Sequence, residues 1–234
     1  MSLSRFFRDV MNKVFAYSNY ELVNTVITLF QLRRLRYWAF EEVLKSMNKC
    51  EGYLLDLGAG DGSMTRFILN NGLRHRPVIM LDPAVNGLRL RGGDLHSVVV
   101  DRVVGVGEYL PFKQGTMCVV YTSFALRQFN NKVLALLEAR RVLRRGGSLI
   151  ILEFWRPDSP LAYAVLLFYL IFALPLLVSI VAPREVRDYM AMRITVRNIG
   201  GHSWLRSLVN HTVGEIVTYR AYLRIFLLIR AVRS

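Results

Sequence analysis

The sequence predicts an α/β fold with a seven-stranded, mostly parallel sheet that an antiparallel hairpin completes near the C-terminus. Short apolar segments alternate with helical ones through the middle of the 234-residue chain. A glycine-rich loop follows the first apolar segment, and two β-rich segments stand near the end of the chain. Because strands that alternate with helices usually form a parallel sheet covered on both faces, these observations predict a single domain.

The N-terminal region, residues 1–48, predicts a helical cap on this domain. Apolar residues recur at helical spacing between Phe6 and Phe15, with charged residues between them. This pattern indicates an amphipathic helix. A second helix is predicted from about Leu22 to Met47.

Strand and helix patterns then alternate across a core that we assign to residues 49–157. The predicted strands are 53–57, 78–82, 101–106, 117–122 and 148–154, and the predicted helices between them are 63–71, 84–91 and 131–144. Gly146 and Gly147 are expected to stop the last helix before its strand. The segments EIVTYRAYLR and IFLLIRAVR, within residues 201–234, predict the closing hairpin.

Residues 158–200 form an insertion whose first part is unusually apolar. Ser159 to Pro183 contains no charged residue, and a helix able to cross a bilayer needs about 20 apolar residues. A single crossing would put strand 148–154 and the closing hairpin on opposite sides of a membrane, and Pro175 favours a bend. We therefore expect an apolar hairpin or lid that dips into one leaflet or lines a pocket; a core helix and a spanning helix are the alternatives.

The formal net charge of +14 is carried mainly by arginine. The arginine clusters include Arg33, Arg34 and Arg36, then Arg140, Arg141, Arg144 and Arg145, and the last fifteen residues. Such a charge suits a polyanionic partner, either nucleic acid or an anionic membrane surface. The alternative is a solvated, arginine-rich exterior of a heat-adapted protein.

Cysteine and histidine give no sign of a metal site. Cys50 and Cys118 are too few and too far apart to indicate a disulfide framework, and the four histidines lack the spacing of zinc ligands.

Charges at Arg5, Arg8 and Asp9 interrupt any apolar segment that could serve as a signal peptide. We expect a reducing cytoplasmic location, free or peripheral on the inner face of the membrane.

The segment YLLDLGAGDGSMT carries the strongest functional pattern. A strand ends at Asp56, and Gly58, Gly60 and Gly62 then allow a tight turn on which a ligand can lie against the main chain. A second strand ends at Asp82, whose carboxylate can accept both hydroxyl groups of a ribose. The spacing G-x-G-x-G differs from the dinucleotide fingerprint G-x-G-x-x-G and resembles motif I of class I S-adenosylmethionine (SAM) methyltransferases. NAD binding and a purely structural turn are the alternatives.

Three further motifs follow in GEYLPFKQGTMCVVYTSFALRQF and ARRVLRRGGSLIILEFWRP. Their residues are Glu108, Leu110, Pro111 and Phe112, then Ser123, Phe124, Leu126 and Arg127, then Gly146, Gly147, Leu152, Glu153 and Phe154. Together with VFAYSNYELVN near the N-terminus, they resemble the UbiE/COQ5 methyltransferases, which methylate a ring carbon of polyprenyl benzoquinol or naphthoquinol precursors. The resemblance covers roughly residues 14–157. It implies a Rossmann-like SAM methyltransferase fold and S-adenosyl-L-methionine as the cofactor.

The resemblance also implies which residues contact SAM. Asp61 lies in the glycine loop with Asp56, Gly58, Gly60 and Gly62, while Asp82 serves the ribose, Val106 and Gly107 lie beside the adenine, and Ser123 ends the fourth strand. Val106 replaces the Asn or Asp usual in the family, Ala125 replaces a Gly, and Cys118 replaces an Asp. The family's A-G-F turn has no counterpart after residue 185.

Two residues are candidates for catalysis. Arg127 follows the carboxyl end of the fourth strand, where it can stabilise an acceptor phenolate or orient a water molecule; a surface ion pair is its alternative role. Glu153 ends the fifth strand and is the nearest carboxylate base, or else a buried acid satisfied by backbone N–H groups. Tyr20, Asn24 and Tyr189 are candidate acceptor contacts, and His202 is a weaker candidate base.

These observations predict a SAM-dependent methyltransferase that acts on a lipophilic small molecule, specifically a ring carbon of a prenylated quinol. The alternatives are a methyltransferase acting on RNA or another small molecule, and a non-catalytic membrane-associated protein with the same fold. The expected partners are the lipophilic substrate and a membrane surface, with nucleic acid less favoured. A homo-oligomer is compatible with the sequence.

Overall fold

The computed structural model of the protein describes residues 3–15, 20–88, 100–184, 186–190, 195–196 and 199–234. Its centre is a seven-stranded sheet. The strands are β1 (Tyr53–Leu57), β2 (Val78–Asp82), β3 (Val100–Val104), β4 (Met117–Ser123), β5 (Leu143–Phe154), β6 (Gly214–Tyr222) and β7 (Phe226–Arg233).

The strand order in the sheet is β3-β2-β1-β4-β5-β7-β6. The first five strands pair in parallel, whereas β7 pairs antiparallel with both β5 and β6. The predicted seven-stranded sheet with an antiparallel C-terminal hairpin is therefore confirmed. Because the chain crosses from β1 outward to β2 and β3 and then returns to β4, the carboxyl ends of β1 and β4 form the switch point at which open α/β sheets bind ligands.

Helices cover both faces of this sheet. They are α1 (Leu3–Val14), α2 (Tyr20–Ile27), α3 (Leu32–Met47), α4 (Ser63–Ile68), α5 (Lys132–Val142), α6 (Pro160–Phe168), α7 (Leu174–Val181), α8 (Val186–Met190) and α9 (His202–Thr212). Alternate residues of the strands supply the two halves of the core. Leu54, Tyr121 and Leu152 pack with α1 to α4, α6 and α7. Leu55, Val120 and Ile151 pack with α5 and α9.

Three predicted helices differ from those observed. The helix predicted over 22–47 is two helices, because Leu29 (φ 52°) and Phe30 (φ 62°) adopt left-handed backbone conformations that end α2. Residues 85–88 of the helix predicted over 84–91 form a turn, and residues 89–91 lie outside the described ranges. The helix predicted over 131–144 ends at Val142.

Gly146 and Gly147 are not the helix stop that the sequence predicted. Leu143 is already extended, with ψ 145°, so α5 ends before the glycines. The last strand of the core then begins at Leu143 and runs through both glycines, with Gly146 at φ 75°. The glycines thus interrupt the regularity of a strand rather than ending a helix.

The apolar insertion forms one continuous helix from Pro160 to Val181, not the expected hairpin. A π-helical turn at Tyr169–Ala173 joins α6 to α7. This wider turn lies immediately before Pro175, which cannot donate a backbone hydrogen bond, so the helix continues past the proline. Among the described residues, this is the one helix long and apolar enough to cross a membrane.

Cys50 and Cys118 form a disulfide, with their Cα atoms 5.7 Å apart. The inference that these two cysteines do not indicate a disulfide was therefore wrong, and with it the reason for expecting a reducing environment. The two cysteines are 68 residues apart in the chain, but β1 and β4 are neighbours in the sheet, with Tyr53 opposite Met117. Strand order, which cysteine spacing alone does not reveal, brings the two side chains together.

Candidate active site

A cavity of about 340 Å³ lies at the carboxyl ends of β1, β2 and β4, within the size range of small-molecule sites. The glycine loop and the acids that end the strands form its floor. Residues of α1, α2 and the first turns of α3 form its cover: Met11, Phe15, Tyr20, Asn24, Ile27, Leu32 and Arg36. The predicted helical cap thus closes the site from above.

The glycine loop packs tightly against Ala125 and Phe15. Gly58, Gly60 and Gly62 have φ values of 76°, 56° and 72°, which favour glycine. A Cβ atom at Gly58 would lie 2.4 Å from Cβ of Ala125. A Cβ atom at Gly60 would lie 2.8 Å from Cζ of Phe15. The turn therefore depends on glycine for both its backbone conformation and its close contacts.

Asp82 fixes the loop from the end of β2. Its Oδ2 accepts a hydrogen bond from the Gly60 N–H at 2.9 Å, and its Oδ1 accepts one from the Ala84 N–H at 2.7 Å. Burial raises the pKa of this carboxyl group to about 6. Because a carboxylate can accept about four hydrogen bonds, Asp82 keeps the capacity to accept two ribose hydroxyls.

Asp56 and Asp61 line the same part of the cavity. The Thr65 hydroxyl donates to Oδ2 of Asp56 at 2.5 Å, and burial raises the pKa of Asp56 to about 7. Oδ1 of Asp61 accepts from the Ser63 N–H at 3.0 Å. Arg66 donates to the Asp61 carbonyl oxygen at 2.9 Å. Together with Asp82, these residues bring three carboxyl groups to the cavity wall.

The two residues predicted beside the adenine and the one predicted at the end of the fourth strand also line the cavity. Val106, Gly107 and Ser123 all do so. A Cβ atom at Gly107 would lie 2.8 Å from the ring of Phe129, so this position accommodates only glycine without movement of the ring. Val106 pairs through its backbone with Tyr109 and is 39% exposed. The contacts of these residues with SAM remain predictions.

Arg127 and Glu153 form a buried ion pair between Nη1 and Oε1. Arg127 lines the cavity, whereas Glu153 is fully buried behind it. The Glu153 carboxylate also accepts from the Phe154 N–H at 2.9 Å and the Arg127 N–H at 3.2 Å. Burial raises its pKa, and the Arg127 guanidinium opposes that rise. The guanidinium donates a further hydrogen bond to the Phe124 carbonyl oxygen at 2.8 Å.

The remaining predicted residues divide between the cavity and the core. Tyr20 and Asn24 line the cavity, and burial raises the pKa of the Tyr20 hydroxyl. Tyr189 is part of the apolar core that includes α6 and α7 and is absent from the cavity wall. His202 is buried away from the cavity, where its Nδ1 lies 3.0 Å from the Tyr219 hydroxyl.

Arg36 is a cavity residue that sequence reasoning placed on the surface. It forms an ion pair with Glu21 and donates from Nη2 to Ser63 Oγ at 3.0 Å, directly beside the glycine loop. Its side chain is only 11% exposed. The clustering of Arg33, Arg34 and Arg36 suggested a solvated patch. Helical geometry distinguishes them, because Arg36 lies on the cavity side of α3 and the other two are exposed.

The sheet order and the cavity at its switch point define the class of this protein as a SAM-dependent methyltransferase with a Rossmann-like fold. The structure resembles the PH0226 protein of Pyrococcus horikoshii (TM-score 0.60, 16% identity, 93% of this chain and 100% of that one). It also resembles a SAM-dependent methyltransferase of Aquifex aeolicus (TM-score 0.58, 14% identity, 91% and 98%). At these identities the likeness concerns the fold.

The sequence comparisons show the family. The model of the ubiE/COQ5 methyltransferase family matches residues 4–225, so the chain belongs to that family. It is 30% identical over 208 residues to the demethylmenaquinone methyltransferase of Lactiplantibacillus plantarum, covering 87% of this chain and 86% of that one. It is 28% identical to a ubiquinone/menaquinone biosynthesis C-methyltransferase UbiE of Hahella chejuensis, covering 82% and 77%. The protein is an enzyme, and its cofactor is SAM.

Proposed function

We propose that this enzyme transfers the methyl group of SAM to a ring carbon of a lipophilic, prenylated quinol. The observation that carries the proposal is the mixed lining of the cavity. Acidic and polar groups of the glycine loop and strand ends line it together with large apolar side chains, which include Met11, Ile27, Leu32, Phe124, Phe154 and Phe226. The names of the relatives, which include a demethylmenaquinone methyltransferase, support an acceptor of this kind.

In this proposal, the glycine loop and strand-end acids hold the cofactor. Asp82 accepts the ribose hydroxyls, Val106 and Gly107 lie against the adenine, and Asp56 and Asp61 face the amino-acid portion. The bound cofactor supplies a methyl carbon that is already activated by the sulfonium. The protein then has to align the acceptor carbon with that methyl group and exclude water, and we assign these tasks to the cap and to the aromatic side chains Phe124, Phe154 and Phe226.

Arg127 is the proposed catalytic residue on the acceptor side. A ring carbon becomes nucleophilic when the neighbouring phenol acquires phenolate character, and a guanidinium stabilises that developing negative charge. Arginine is too basic to take the proton itself, so the proton that the phenol loses passes to a water molecule that Arg127 orients. The methylated ring carbon then gives up its own proton as the phenol re-forms. Glu153, which is buried behind Arg127, is proposed to act as a positioning residue that holds the guanidinium against the Phe124 carbonyl.

We place the reaction in the cytoplasm, at the inner face of the membrane that holds such an acceptor. A methyl transfer assay with labelled SAM tests the proposal, with total lipid extract and total RNA offered in parallel. We expect label in the lipid fraction and its loss in the Asp82→Ala and Arg127→Lys variants. Label in the RNA alone would contradict the proposed substrate class.

A further inference from the structure

The helix from Pro160 to Val181 has two apolar faces. Its inner face is buried in the core through residues four apart, from Leu166 to Val178. Its outer face carries large apolar side chains that are 44% to 76% exposed: Leu161, Val165, Phe168, Ile171, Phe172, Leu176 and Ile180. An exposed apolar surface of this extent marks an interaction site on a monomeric protein.

The polar groups on this helix suit an apolar environment. Ser179 is exposed on the outer face, and its hydroxyl donates to the Leu176 carbonyl oxygen at 2.7 Å. The Tyr169 hydroxyl turns inward and donates to the Ile27 carbonyl oxygen at 3.0 Å. The hydrocarbon of a bilayer offers no hydrogen-bond partner, so polar groups in contact with it must be satisfied within the protein, as these two hydroxyl groups are.

The helix lies along the surface of the domain. β5 precedes it, and β6 and β7 follow it in the same sheet. Because its inner face is covered by the core along its length, a bilayer can contact the outer face alone. The helix therefore has the geometry of an interfacial element lying in the membrane plane.

The α2–α3 turn, residues 28–31, adjoins this helix. The hydrogen bond from Tyr169 to Ile27 joins the helix to the end of α2. Phe30 in the turn is 68% exposed, and Arg33 and Arg34 follow it and are exposed. Ile27 and Leu32, on either side of the turn, line the cavity. The turn therefore lies between these cavity residues and the outer surface.

We propose that the protein docks on an anionic lipid bilayer through a docking face made of the outer face of the Pro160–Val181 helix and the α2–α3 turn. A lipophilic acceptor then enters the cavity from the bilayer past that turn. Charge favours a bilayer over a second copy of the chain: Arg33, Arg34 and the net charge of +14 attract anionic headgroups and repel the same surface of another molecule. The entry step rests on the proposed function, whereas the docking step does not.

Flotation with lipid vesicles tests the docking step. Wild-type protein is mixed with vesicles of phosphatidylcholine, with and without phosphatidylglycerol, and we expect flotation that increases with the anionic lipid. The Phe168→Glu/Phe172→Glu variant should bind the anionic vesicles at least about tenfold more weakly, because it removes two apolar side chains from the lipid.

The matched control is Val133→Glu/Leu137→Glu on α5. Both control residues are exposed apolar residues four positions apart, each 44% exposed, and the two variants have the same net charge. Because both variants add the same negative charge, any loss of flotation in the control measures the effect of charge alone. In all other respects the control should float like wild type at equal salt. Circular dichroism and SAM binding confirm that both variants are folded, since the substituted side chains are outside the cavity wall.

Three results would overturn the docking proposal. Wild type that stays unbound with anionic vesicles would do so, as would equal flotation of the two variants. A wild-type dimer in solution that the Phe168→Glu/Phe172→Glu variant converts to a monomer, with no change in vesicle binding, would assign the face to a second copy of the chain.

Activity separates the entry step from the proposed function. The Phe168→Glu/Phe172→Glu variant should methylate a long-chain quinol in vesicles at least about tenfold more slowly while methylating a short-chain, water-soluble quinol at the wild-type rate. Equal rates on the vesicle substrate would overturn entry from the bilayer. Inactivity of wild type on both quinols, with vesicle binding intact, would refute the proposed function and leave docking standing.

Discussion

At the scale of single residues, burial sets the chemistry of the acids in the active site. Asp56, Asp82 and Glu153 are each less than a tenth exposed, and burial raises the pKa of all three. Each also accepts hydrogen bonds from the surrounding chain, and these partly offset the burial that favours the neutral, protonated form. These acids are where substitutions and pH should have their largest effects.

The first prediction concerns Asp82. Asp82→Ala should weaken SAM binding about a hundredfold or more, because it removes an acceptor of charge-assisted hydrogen bonds worth about 1.5–3 kcal/mol each. Titration calorimetry measures the change, with the exposed Asp101→Ala on β3 as the control.

Since burial raises the pKa of Asp82 to about 6, wild-type affinity should also fall as the pH decreases below 6. Affinity that is independent of pH, or that survives Asp82→Ala, would exclude Asp82 as a ligand.

The second prediction concerns stability and pH. Burial raises the pKa of Asp56 from 3.8 to about 7, so the folded state binds a proton that the unfolded state releases. The free energy of unfolding of the ligand-free protein should therefore decrease as the pH rises from about 4 to 7. Asp56→Asn keeps an acceptor for Thr65 and removes the charge. It should be more stable than wild type at pH 8, on the order of 2 kcal/mol, by urea unfolding. A variant less stable than wild type at pH 8 would contradict this account.

The third prediction separates the roles of Arg127 and Glu153. Glu153→Gln leaves the Arg127 guanidinium buried without its anion and should cost about 3–5 kcal/mol of stability. Arg127→Met/Glu153→Gln should recover most of that stability and remain inactive, with SAM affinity near wild type. Calorimetric SAM binding, urea unfolding and single-turnover rates distinguish these effects. Full activity of the double variant would remove Arg127 from the catalytic machinery.

At the scale of elements, the strand limits predicted from the sequence agree with the structure more closely than the predicted helix limits do. Runs such as VIMLD are buried on both faces of the sheet and read as continuous apolar segments, so their limits could be predicted. The break at Leu29 and Phe30 could not, because residues other than glycine in left-handed conformations carry no sequence mark. The cysteine pair and the Arg127–Glu153 pair depend on which strands become neighbours. The glycine loop and its flanking acids were predictable because the motif is local.

The fourth prediction tests the strain in the α2–α3 turn. Phe30 has φ 62° and is 68% exposed, so its side chain contributes little packing while its backbone is unfavourable. Phe30→Gly should stabilise the protein by about 1 kcal/mol. Thermal unfolding at neutral pH measures the change, with Phe30→Ala as the control that keeps the strain. Equal stability of the glycine and alanine variants would show that the turn is not strained.

The fifth prediction concerns the disulfide between Cys50 and Cys118. Cys50→Ala should lower the free energy of unfolding by about 2–4 kcal/mol, because the bond constrains the unfolded chain between β1 and β4. A reducing agent should lower the stability of wild type by a similar amount and leave the variant unchanged. Insensitivity of wild type to the reducing agent would mean that the bond contributes nothing to stability.

At the scale of the whole molecule, one cavity combines groups suited to the cofactor with groups suited to the proposed acceptor. The parallel strands present the glycine loop and acids at their carboxyl ends, and the helical cap adds a wall to which Met11, Ile27 and Leu32 contribute apolar side chains. The apolar helix and the arginines of α3 lie beyond that wall. This arrangement connects the cavity with the proposed docking face, as our proposal of a prenylated acceptor that enters from the bilayer requires.

The most direct test is a crystal structure with bound S-adenosylhomocysteine. The ribose is predicted to lie on Asp82, the adenine beside Val106 and Gly107, and the sulfur on the side of the cavity that faces Arg127. A molecule bound outside this cavity, or bound with its ribose away from Asp82, would contradict the assignment of the glycine loop as the cofactor site.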